Sequence, residues 1–204
     1  MAFIDNLAYE LMAISFSGFV LLYTISQMYL VYRKRGRTFG EYLRNASVPL
    51  GILGAYLLLM GVWGQFSWTL PGSYNILFYD PLVSLGILLV AFAVAVRTGA
   101  KLEYVGFLGL LVGIMTIMYG IEGYSIGLTQ APLALLAMYF FYGAAGIFSY
   151  PVSMIADRLP GLQKRVWPGW TVILVIFWVL ILVASLLSAF VGLSAVPAHL
   201  LSAP

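Results

Sequence analysis

"LPGSYNILFYDP", residues 70–81, decides how the rest of the chain is read. It sets a Pro-Gly pair, an asparagine, three aromatics and one acid between two long apolar runs. Either it bends the chain between two membrane-crossing segments, or it is a place for chemistry. Pro-Gly is among the strongest turn signals, so 70–74 reads as a turn. Pro81 suits the first turn of a helix, where its missing N–H would have no partner anyway. Asp80 just before it is placed to cap that turn, accepting from free N–H groups and favouring the positive helix end. The stretch therefore reads as a connector leading into a helix at Pro81. A ligand-contacting gate over 65–80 is the competing reading, because binding residues favour loops held by rigid elements.

The bulk composition says what the connector joins. Hydrophobic residues make up 63% of the 204 and charged residues 8%, with a mean hydropathy of +1.01. A soluble domain carries about 25% charged residues, because its surface faces water. Ten Lys and Arg with seven Asp and Glu cannot coat this chain in solution. Its solvent is lipid. A helix needs about 20 apolar residues to cross the hydrocarbon core, fewer where flanking side chains snorkel. Six runs qualify, at about 7–32, 48–63, 81–96, 103–119, 132–150 and 170–193. The expectation is an all-α, polytopic integral membrane protein: one transmembrane domain over 1–204 with six helices.

Charge placement tests that count. Arg33, Lys34, Arg35, Arg37 and Arg44 lie between runs one and two. Arg97 and Lys101 lie between three and four, and Arg158, Lys164 and Arg165 between five and six. Every basic residue thus falls in an alternate connection. Basic loops stay cytoplasmic, so loops 33–47, 97–102 and 151–169 are expected inside and both termini outside. A cytoplasmic home for these bases also replaces the nucleic-acid reading that a net charge of +3 would otherwise invite. No nucleic-acid partner is expected. The first run has Asp5 before it and Glu10 in its opening turn rather than bases, and is too long for a signal peptide, so an uncleaved helix is expected.

A repeat is visible once the runs are aligned. "GILGAYLLLMG" (51–61) matches "GFLGLLVGIMT" (106–116), and each leads through a loop to a proline-led run, "YDPLVSLGILL" or "QAPLALLAMYF". Helix pairs two–three and four–five read as tandem copies of one hairpin, or as apolar sequence aligning by chance. The "LPGSYNILFYDPL" segment, the acid-led first helix "IDNLAYELMAI" and the six short-looped spans together resemble an uncharacterised prokaryotic membrane-protein family, a domain-of-unknown-function group. That resemblance implies six helices and a prokaryotic cell membrane. It implies nothing about chemistry.

Little in the chain supports catalysis. There is no cysteine and one histidine, His199, which excludes thiolate chemistry and multi-histidine metal centres within one chain. "GYSIG" (123–127) fits the G-x-S-x-G pattern, but that motif needs a strand–turn–helix context absent from an apolar helical chain. No catalytic residue, cofactor or metal is expected. Two candidate constellations remain. Asp5, Glu10, Asp80 and Glu122 collect on the side without bases, a candidate acidic vestibule for cations. The plainer account is that a chain with every base inside leaves only acids outside. Ser17, Thr24 and Gln27 share one helical face in run one, lining a path or bonding to neighbouring helices.

Helix interiors free of charge, an oily sixth run and small-residue faces such as Gly109 and Gly113 point first to a non-catalytic accessory or scaffolding subunit of a membrane assembly. Its partners would be membrane lipids and other membrane subunits or a second copy of itself. The alternative is a carrier or channel for a small or weakly polar solute.

Overall fold

The computed structural model describes residues 6–34, 39–129, 131–158 and 168–202. Among them are six helices and no strand: α1 (Asn6–Lys34), α2 (Phe39–Ser67), α3 (Ser73–Thr98), α4 (Leu102–Ser125), α5 (Pro132–Arg158) and α6 (Pro168–Ser202). Each holds a stretch long and apolar enough to cross a membrane. In lipid every backbone N–H and C=O needs a partner from within the protein, so a helix that pairs its own groups is the favoured form.

The same demand corrects several expected helix ends. α2 begins at Phe39, not near 48, and α3 begins at Ser73, not at Pro81. α4, α5 and α6 run on to Ser125, Arg158 and Ser202. Pro49, Pro81, Pro151 and Pro197 all lie inside helices rather than at their starts. The turn into α3 is carried by Gly72, whose φ of 56° favours a residue without a Cβ. Asp80 therefore sits about two turns inside α3 and caps nothing.

Packing follows chain order. Each helix lies against its neighbours in sequence, and α1 closes the ring against α6. Three pairs approach most closely: α4 with α5, α2 with α3, and α6 with α1. Glycines make the first two approaches possible. A Cβ on Gly86 would come within 2.5 Å of the Leu58 nitrogen, and one on Gly146 within 2.8 Å of the Gly109 carbonyl. In both hairpins a tyrosine near the loop lies on a glycine of the preceding helix, Tyr79 on Gly64 and Tyr139 on Gly120. The α6–α1 pair uses Gly192 against Ala8, and Gly18 beside Ser185.

Side chains from α1, α3 and α5 meet in one cluster, Leu11 with Leu77, Leu135, Met138 and Tyr139. Outward faces are apolar: Leu59 of α2 is 70% exposed and Phe190 of α6 72%. Such a surface is stable only against lipid or another apolar face. This is an integral membrane protein.

Two polar clamps sit at the end of the bundle that carries the basic residues. Asp157 of α5 accepts from the first free N–H groups of α4, Leu102 N at 3.0 Å and Glu103 N at 2.9 Å, which suits a carboxylate at a helix N-terminus. Arg97 of α3 donates through Nε to the Ser47 hydroxyl of α2 at 2.9 Å.

Candidate functional site

The other end of the bundle holds a denser polar layer, and residues 70–81 are at its centre. Asn75, buried in the first turn of α3, takes the Leu70 N–H on its side-chain oxygen and donates to the Gly64 carbonyl. It stitches the end of α2 to the start of α3. Tyr79, at 0% exposure, shares a hydrogen bond of 2.7 Å with Thr69. The Tyr74 hydroxyl donates to the Leu128 carbonyl beyond the end of α4.

Pro81 then creates a specific need. With no N–H, it leaves the Leu77 carbonyl one turn earlier without its helical donor. The Tyr139 hydroxyl of α5 donates to that carbonyl at 2.6 Å. A proline inside a membrane helix is stable when a neighbouring helix supplies the missing bond, and here α5 supplies it to α3.

Asp80 uses both carboxylate oxygens. Gln65 of α2 donates to Oδ1 at 2.7 Å, and the Tyr119 hydroxyl of α4 donates to Oδ2 at 2.6 Å. One half-buried acid thus joins three helices.

Glu10 is the opposite case. It lies in α1 at 1% exposure, and neither carboxylate oxygen has a hydrogen-bond partner. Tyr56 of α2 packs edge-on against Tyr9, the residue before Glu10, with ring centroids 5.4 Å apart. Glu10 falls within the membrane-spanning stretch Leu7–Leu30. Buried and bare in the opening turn of that stretch, it is a functional candidate.

A family profile matches residues 1–202 and is described as a protein of unknown function, DUF981. The chain belongs to the DUF981 family. That agrees with the resemblance to an uncharacterised group, and membership brings no activity with it. No characterised protein and no solved structure matches the chain.

In this family member the four acids of the candidate vestibule have different surroundings. Glu10 is sealed in the bundle, Asp80 is tied into its hydrogen bonds, Glu122 is exposed near the end of α4, and Asp5 lies outside the described residues. Glu10, Asp80 and Glu122 share no hydrogen-bond partner. Among the described residues no three His, Cys, Asp or Glu come together to hold a metal ion.

The α1 polar face behaves locally. Ser17 and Thr24 are buried and turn back to the carbonyls of Ala13 and Val20, four residues earlier; Gln27 is half-buried. The hydroxyls of α1 that reach a neighbour are others. Ser15 donates to the Ser185 carbonyl of α6 at 2.8 Å, and Ser26 accepts from Trp178 of α6 at 3.0 Å. Ser125 of "GYSIG" ends α4, exposed, and donates to the Glu122 carbonyl. The His199 side chain lies outside the described residues.

Several partners were missed from sequence: Gln65 and Tyr119 on Asp80, Tyr139 on Leu77, and the Tyr142–Ser188 bond at 2.7 Å. One signal was available. A proline followed by a long apolar run marks an orphan carbonyl four residues upstream whenever the helix extends that far back.

Proposed function

We propose that the protein is a carrier or channel for a small or weakly polar solute, with the polar layer around Glu10 and Asp80 as its binding region. The single observation that supports this is Glu10, buried within a membrane span with both oxygens bare. An acid in that position costs stability and is retained where it serves a function. The accessory-subunit reading drew on helix interiors without charge, and Glu10 and Asp80 both lie inside helices. In this reading the protein sits in a prokaryotic cell membrane, with loops 33–47, 97–102 and 151–169 in the cytoplasm and both termini outside. It works among membrane lipids, beside other membrane subunits or a second copy. The matched Gly–Gly and Tyr–Gly contacts of the α2–α3 and α4–α5 pairs support a tandem hairpin repeat, a common plan in transporters.

The test is solute entry into lipid vesicles holding the purified chain, followed by light scattering after an osmotic jump. Glycerol, urea, acetate and methylamine serve as probes. At least one should enter faster than through protein-free vesicles, and Glu10→Gln should lose that gain. No acceleration for any probe, together with co-purification of a fixed second membrane chain, sinks the carrier reading in favour of the accessory one. Protease access to loop 99–101 from the periplasmic side would overturn the orientation.

A further inference from the structure

We propose that Glu10 is a proton-binding site, and that the conformation seen here is its proton-loaded state. The inference rests on the carrier reading and names the ion coupled to it. An ionised carboxylate needs water, donors or a counter-charge. At 1% exposure Glu10 has no water-facing surface, and neither oxygen receives a hydrogen bond. Among the described residues the ion pair formed is Lys101–Glu103, which leaves Glu10 without a cation. A proton is the one positive charge that meets this need without further ligands. Larger cations would demand several oxygens, and the acids and histidine do not cluster here.

The surroundings fit a site that exchanges its proton. Beside Glu10 the titratable groups are Tyr56 of α2 and, one residue earlier in α1, Tyr9, which pack on each other. Gly192 of α6 lies against Ala8, Leu11 and Met12 of α1 and brings no titratable group. None of these carries a positive charge that would hold Glu10 permanently ionised. Asp80 supplies the internal control. Its two oxygens already accept from Gln65 and Tyr119, so its polar demand is met within the bundle. Release from Glu10 requires water to reach it, and the α1–α2 contact is less extensive than the α2–α3 and α1–α6 contacts that flank it in the ring. When that contact opens, the proton passes from the carboxyl to water, and the carboxylate left behind is hydrated until the bundle closes on a new proton.

Infrared spectroscopy of the full chain in lipid tests this directly, because a protonated carboxyl has its own C=O stretch. At neutral pH the protein should show a carboxylic-acid band. Glu10→Gln should lose it, Asp80→Asn should keep it, and Glu10→Asp should restore it at a shifted position. Circular dichroism on each variant confirms that the helices are intact. An acid band unchanged in Glu10→Gln, or its absence from the parent protein, overturns the proposal. The two readings fail separately. A Glu10 band with no solute entry into vesicles removes the carrier and leaves the proton site, whereas solute entry without a Glu10 band does the reverse.

Discussion

Asp80 and Glu10 are both carboxylates inside membrane helices, and they have been given opposite surroundings. Asp80 receives a donor on each oxygen, from α2 and from α4, and joins three helices at one point. Glu10 is more deeply buried and receives nothing. The first acid therefore stabilises the fold and the second burdens it. Burial of a charge-bearing group says little about its role until its partners are counted. An acid whose partners are complete is explained by structure, and one whose partners are missing needs an explanation from function.

The comparison breaks first at Asp80→Leu. That change removes both bonds and leaves the Gln65 amide and Tyr119 hydroxyl without their acceptor, so thermal unfolding in detergent should show a loss of about 2–4 kcal/mol. Tyr139→Phe should come next, at about 1 kcal/mol, since it frees the Leu77 carbonyl that Pro81 has already orphaned. A cost for Tyr139→Phe that vanishes in a Pro81→Ala background would confirm that the two residues form one unit. Asp80→Asn should be the mildest, about 0.5–1 kcal/mol, because one oxygen still accepts and the Tyr119 hydroxyl is free to turn and accept from the new amide. Equal losses for Asp80→Leu and Asp80→Asn would show that charge, rather than hydrogen bonding, is what α2 and α4 recognise.

Much of the fold was legible because lipid imposes simple rules. Hydropathy marked six spans, and the alternation of bases agreed with that number. Helix ends were harder. Pro81 looked like a helix start because proline is cheap there, and what makes it stable deeper in α3 is Tyr139, 58 residues away in a helix whose position the local sequence does not specify. Asp80 was misread as a cap for the same reason. Its partners lie 15 and 39 residues distant, and only the packing of α2 and α4 on α3 brings them in. Glu10 was visible as an acid at the head of an apolar run. Depth follows from position along a run, but burial depends on which way the helix is turned, and the low amphipathic contrast of an oily helix hides that. Ser17 and Thr24 read from the sequence as polar positions on one face. Their hydroxyls return to carbonyls of the same helix, a local bond that competes with contacts across helices.

The central claim is that these two acids act on stability with opposite sign. Glu10→Met preserves the length of the side chain while removing two buried oxygens that have no partners, so burial is no longer opposed by an unmet polar demand. Its thermal unfolding, measured in the same detergent as Asp80→Leu, is the most direct test. The account predicts that Glu10→Met melts above the parent protein, by about 1 kcal/mol or more, while Asp80→Leu melts well below it. A Glu10→Met protein that unfolds at a lower temperature than the parent would mean that Glu10 is held by contacts the fold depends on, and would contradict the distinction between the two sites.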